Sequence, residues 1–142
     1  MSLVEKQMKF ALLVSKLIQK AFELGYGVTF GDANREWRGK DDFDKLEASL
    51  CDSCKTKLSA AFSRAKRRIF YGSEVSLHRQ RLAIDLNLFR MDSNGRWQYL
   101  PSTEAHAELA QYWVSLDDEC TWGGEADRQD GNHYSLKHEG RW

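Results

Sequence analysis

Proline is nearly absent from this 142-residue chain: there is one, against ten glycines. That excludes a collagen-like or linker-rich protein. Charge of one sign is missing too. The 21 Lys and Arg balance 21 Asp and Glu, so the formal net charge is +0. A protein whose main task is to coat nucleic acid shows a basic excess, so no nucleic-acid partner is expected. Cysteine is scarce and odd in number, with only Cys51, Cys54 and Cys120. This is not the framework of a small secreted disulfide protein. Long apolar runs are absent as well. Phe10–Ile18 is broken by Lys16 and followed by Lys20, too short to span a bilayer and without a small-residue cleavage site. Synthesis in the cytoplasm without a signal peptide, and no stable membrane insertion, are the expectations.

What is present is an ordinary globular composition, 42% hydrophobic and 30% charged. Its length suits one domain with a real core, over residues 1–142, and a monomer is expected. Leu3, Phe10, Leu13, Val14, Leu17, Ile18, Ala21 and Leu24 recur at three-to-four spacing, with Lys6, Lys9, Lys16 and Lys20 off that stripe. The pattern predicts an amphipathic helix over 3–24, capped by Ser2 and stopped by Gly25. A short strand, Tyr26–Phe30, follows, then a polar segment, Asp32–Asp42. Residues 43–70 read as helix-prone and hold Cys51-x-x-Cys54.

Leu82–Phe89 is the clearest strand. Leu82, Ile84, Leu86 and Leu88 alternate with Ala83, Asp85, Asn87 and Phe89. Asp92–Gly95 forms a turn. Pro101, then Ser102 or Thr103 with Glu104, opens a helix to Leu116. Trp113 points into the core in this reading, and His106 falls on the exposed side with Glu104 and Glu108. Trp122-Gly123-Gly124 reads as a loop, and Asn132–Lys137 as a last short strand. The order of helices and short strands predicts an α+β fold, a small sheet packed by helices on one side.

Four residues carry the chemistry: His78, Asp85, Asp130 and His133. Asp85 sits mid-way along an alternating apolar strand, a costly place for a carboxylate unless it is paired or metal-bound. Two imidazoles and one carboxylate suffice for a catalytic Zn²⁺ that keeps its fourth position for water. The other acid is then free to act as a general base. Such a site retains a charge of about one, which lowers the pKa of bound water to roughly 7. A His and an Asp seven residues apart also occur by chance, so spacing alone does not decide which residues ligate.

The wider context does more. Ser76-Leu77-His78, Ala83-Ile84-Asp85, Trp122-Gly123-Gly124 and Asp130-Gly131-Asn132-His133 follow one another as S-x-H-(x6)-D, W-G-G and D/E-x-x-H. Together they resemble the VanY/VanX-type zinc peptidase family, and most of all its phage-borne L-alanyl-D-glutamate peptidases (endolysins). Gly31-Asp32-Ala33-Asn34-Arg35 is similar to the family's G-E-x-x-R segment. The resemblance covers roughly residues 25–140. It implies a hedgehog/DD-peptidase-like fold with a small antiparallel sheet, and a zinc site within residues 76–133. Zinc would be held by His78, Asp85 and His133. Asp130 would be the general base, and Arg35 would bind substrate and the oxyanion. Ser76 and Trp122 would line the site. The implied substrate is the peptidoglycan stem peptide, cut at L-Ala-D-Glu after holin-type release to the periplasmic wall, with host lysis as the outcome.

Two departures from the carboxypeptidase branch stand out. Arg81 occupies a position that is often glycine there, and the base is Asp, not Glu. Three other readings compete: D,D- or L,D-carboxypeptidase action at the same site, a non-catalytic zinc-binding interaction domain of the same fold, and a redox protein using Cys51 and Cys54. Arg64, Lys66, Arg67 and Arg68 form a basic cluster that reads as a solvated helix face. His138 follows the last strand and reads as a surface or rim residue.

Overall fold

The computed structural model describes residues 1–31, 48–54, 76–125 and 129–141. Arg35, the polar segment 32–42, Trp142 and most of the helix-prone stretch, including Arg64–Arg68, lie outside the described residues.

Helix α1 spans Leu3–Glu23. Its start is a full capping box: the Ser2 side chain accepts from the Glu5 amide, and Glu5 accepts from the Ser2 amide. Gly25, at φ +80, turns the chain out of the helix in a left-handed conformation. Phe10, Leu13, Val14, Leu17 and Ala21 are buried along one stripe. The ends of the predicted stripe differ. Leu3 is exposed, while Lys6 is buried. Lys6 reaches Glu119 at 2.6 Å, and Lys9 reaches Asp117 at 2.7 Å. These pairs tie α1 to the turn after the second helix, so a lysine, not a leucine, fills that turn of the stripe.

Strand β1 is Tyr26–Phe30, β2 is Ala83–Met91 and β3 is Trp97–Leu100. A short 3-10 turn, Glu104–His106, leads into α2, Ala107–Leu116. Strands β4, Cys120–Trp122, and β5, His133–Leu136, complete a five-stranded sheet in the order β1-β2-β5-β4, with β3 also on β2. Every strand pairing among the described residues is antiparallel. The result is the small α+β domain, an open antiparallel sheet packed against helices, that the sequence predicts. Two strands were not anticipated. β3 and β4 are three or four residues long, too short to show a period, and the Trp122 of the expected loop ends β4.

β2 is the axis of the fold. β1 runs along one edge, and the peptide between Asp85 and Leu86 shows how both edges are used. The Asp85 carbonyl accepts from the Gly31 amide on the β1 side, and the Leu86 amide donates to Asn132 on the β5 side. Residues directly opposite in an antiparallel pair share a face. Ile84 opposes Tyr134, and Asp85 opposes His133. Ile84, Leu86, Leu88 and Tyr134 therefore face the core with the buried stripe of α1 and Leu109, Ala110 and Trp113 of α2. Trp113 stands edge-on to both Phe10 and Tyr134 and donates its indole N–H to the Thr121 carbonyl at 2.9 Å. Burial of these large rings contributes roughly 2 kcal/mol or more each.

The expected exposure of His106 is corrected here. It is only 2% exposed, and its Nδ1 lies 2.9 Å from the Tyr134 hydroxyl. The 3-10 turn precedes α2 and advances the chain by a different angle per residue. A helical projection from Glu104 and Glu108 therefore puts His106 on the wrong side. Burial pushes its pKa down to about 4, so it is neutral near pH 7. Among the described residues no helix is long and apolar enough to cross a membrane.

Candidate metal centre

Three side chains converge on the face of the sheet opposite the core. Asp85 and His133 arrive as direct cross-strand partners on β2 and β5. His78 arrives from the tight turn that precedes β2. In that turn the Arg79 and Gln80 amides donate to the Ser76 carbonyl, Arg81 donates to His78, and Leu82 donates to Leu77. Buried Leu77 and Leu82 clamp its two ends into the core. Arg81 takes φ +55, a left-handed conformation that costs a non-glycine residue roughly 1 kcal/mol. This is the position where the carboxypeptidase branch often has glycine.

The donor atoms form a small triangle. His78 Nε2 lies 3.1 Å from His133 Nδ1 and 3.3 Å from Asp85 Oδ1, and His133 Nδ1 lies 3.0 Å from Asp85 Oδ1. A tetrahedral ion with bonds of 2.0–2.1 Å separates its ligands by about 3.3 Å. The triangle therefore has close to the edge lengths that such an ion imposes. The donor set, two imidazoles and a carboxylate, is the kind that zinc takes when a fourth position stays open. His78 is 2% exposed, and its other nitrogen, Nδ1, has no hydrogen-bond partner among the described residues. Burial acts to raise the Asp85 pKa, but hydrogen bonds from His133 and then His78 outweigh it and hold it at about 2. Asp85 is thus an anion over the whole useful pH range, ready to neutralise a cation.

Asp130 lies outside this triad. Its amide donates to Gly123 at 3.0 Å, its carbonyl accepts from His133 at 3.1 Å, and its side chain is exposed. The Gly123 amide in turn donates to His133 at 2.9 Å. A Cβ at Gly123 would stand 2.6 Å from the Asp130 carbonyl oxygen and 2.8 Å from the His133 Cβ. Only glycine lets β4 approach this turn, so the W-G-G motif sets the seat of Asp130 and His133 through their backbone. Trp122 does not line the metal face. It opposes Tyr134 and so shares the core side of the sheet, and its indole N–H donates to the Gly131 carbonyl at 2.7 Å. That bond braces the turn that carries Asp130 and His133 from the core side. Ser76 is half-buried and opens the turn that carries His78.

Cys51 and Cys54 are exposed free thiols with sulfurs 3.0 Å apart. A hydrogen bond from Cys54 lowers the pKa of Cys51. Cys120 is buried, and that burial pushes its thiol up to about 12. His138 pairs with Arg141 through a β-bridge and stays out of the triad.

Residues 71–136 match a peptidase family model. The model is that of the M15 peptidases and is described as D-alanyl-D-alanine carboxypeptidase. The matched stretch contains His78, Asp85, Asp130 and His133, and stops short of the Arg35 region. It supports a peptidase that acts on the cell wall. No curated protein matches the chain.

Proposed function

We propose that this protein is a zinc-dependent peptidase of the peptidoglycan stem peptide, cutting L-Ala-D-Glu in the manner of a phage endolysin. The observation that carries the reading is the His78–Asp85–His133 triangle, whose edges of 3.0–3.3 Å suit a tetrahedral ion. A zinc ion bound there supplies Lewis acidity for the scissile carbonyl and an acidified water. The rest is the work of the chain. His78 is fixed by a hydrogen-bonded turn and His133 by a strand, so neither imidazole reorganises during turnover. Asp130 stands next to His133 in the turn but outside the triad, and its exposed carboxylate is the base that takes the proton of the attacking water. It then delivers that proton to the departing amine. Arg35 is assigned to the substrate carboxylate and the developing oxyanion, on the family likeness of its segment. The Gly31 amide ties the start of that segment to the Asp85 carbonyl at 2.7 Å. Action on the wall after release through a holin-type pore, ending in host lysis, completes the reading.

A second reading is favoured by the family description itself: carboxypeptidase action at D-Ala-D-Ala, with the same residues. Mass spectrometry of muropeptides digested with and without a chelator decides between them. A new D-Glu amino terminus, lost on chelation, is the expected result. Loss of terminal D-Ala establishes the second reading. Zinc binding with intact muropeptides overturns both in favour of a non-catalytic domain.

A further inference from the structure

The face of β2 that carries Asp85 continues past the triad. Asn87, Phe89 and Met91 follow on the same side, with Thr29 and Gly27 beside them on β1 and Tyr99 and Trp97 beside them on β3. The first step is polar: the Asn87 amide donates to the Thr29 hydroxyl at 3.3 Å. The next is aromatic. Phe89 and Tyr99 are cross-strand partners with ring centroids 5.4 Å apart, and Tyr99 is 51% exposed. Trp97 lies across the sheet onto Gly27. A Cβ there would stand 3.0 Å from its indole carbon Cζ3, yet the ring is 52% exposed. Among the described residues this face has no charged side chain beyond Asp85.

Two exposed rings held in place by the sheet beneath them form a rigid platform, and an exposed indole seated on a glycine loses little entropy when it binds. Flat aromatic faces flanked by an amide and a hydroxyl suit a neutral ring with an apolar face and polar edges. We infer that Trp97 and Tyr99, with Asn87 and Thr29, form a subsite for the N-acetylhexosamine glycan that bears the stem peptide.

The inference rests on the proposed peptidase reading and sharpens its choice of bond. Four residues of strand separate Asp85 from Phe89, about 13 Å. In a stem peptide L-Ala is joined to the sugar through a lactyl group. The L-Ala carbonyl is then about two residue lengths, or 7 Å, from the sugar, and the ring itself covers the remaining distance to the platform. A D-Ala-D-Ala bond stands about five residue lengths, or 17 Å, away, and its sugar would overshoot the rings. The platform therefore suits cleavage beside the glycan.

The test compares kcat/KM of the zinc-loaded full chain on a disaccharide-linked stem peptide and on the same peptide without sugar. Wild type is expected to prefer the glycan-linked substrate by about ten-fold or more, and Trp97→Ala or Tyr99→Ser to lose most of that preference. No preference in wild type, or an unchanged preference in both folded variants, overturns the subsite. If wild type cuts neither substrate, the peptidase reading fails and the subsite is judged by binding. N-acetylglucosamine tetramer, titrated into the protein, should shift the Trp97 indole resonance, and Tyr99→Ser should weaken that binding. No shift, or self-association or vesicle binding through Trp97 without any response to sugar, overturns it.

Discussion

Leu86 and Asp85 are neighbours on β2, and the two faces they begin could hardly differ more. Ile84, Leu86 and Leu88 meet α1, α2 and Tyr134, and Leu86 and Leu88 are fully buried. Asp85, Asn87 and Phe89 look the other way, over a triad, an amide and an aromatic pair. The strand is stable because of the first face, and that stability holds the second face rigid against the cost of gathering two imidazoles and a carboxylate within 3.3 Å. The two histidine environments repeat the contrast. His106 on the core side is buried neutral beside a tyrosine, whereas His78 and His133 share one carboxylate oxygen.

The faces can be broken separately. The largest effect is expected from His133→Ala, which removes one vertex of the triangle: zinc binding by isothermal titration disappears, and peptidoglycan hydrolysis falls by about a thousand-fold or more. Asp130→Ala should keep zinc while hydrolysis drops by roughly 10²–10⁴-fold. An active Asp130→Ala protein would remove Asp130 from the mechanism. On the other face, Leu86→Ala should cost about 2–5 kcal/mol in urea unfolding, yet leave zinc affinity near normal in the fraction that remains folded. Equal loss of both would mean the faces are not separable.

A smaller effect tests His106. Its folded pKa is depressed to about 4 from 6.5, so its contribution to stability is complete above pH 6.5 and is lost as pH falls from there toward 4. The loss is about 3 kcal/mol, and it should vanish from the pH profile of the His106→Gln variant relative to wild type. The smallest effect is at the turn before β2. Arg81→Gly should raise the unfolding free energy by up to about 1 kcal/mol by relieving φ +55. A clear loss would show that Arg81 contributes a contact worth more than that strain.

Much of the fold was legible along the chain because it is written in local terms. The capping box at Ser2, the three-to-four stripe of α1 and the alternation from Leu82 onward each depend on residues a few places apart. Strands β3 and β4 escaped because three or four residues carry too little period, although Asp92–Gly95 followed by Trp97-Gln98-Tyr99-Leu100 is a hairpin signal. That omission also hid the aromatic platform. Lys6 and His106 were misplaced for one reason: their sites are set by Glu119 and Tyr134, distant in sequence, and not by their own helical neighbours.

The candidate site divides in the same way. By itself the sequence determined which side chains were available to a cation, because an acid in an apolar strand and a W-G-G before D-x-x-H are local patterns. Their meeting was decided by tertiary structure. His78 and His133 lie 55 positions apart in the chain and 3.1 Å apart at their nitrogens. What joins them is the register that sets Asp85 opposite His133, and the tight turn that returns His78 to the same face. Register depends on long-range pairing and on burial of the opposite face, where a slip of one residue would turn Asp85 into the core and Leu86 out to the metal. The same pairing of β4 with β5 assigned Trp122 to the core side of the sheet, a placement that no spacing along the chain encodes.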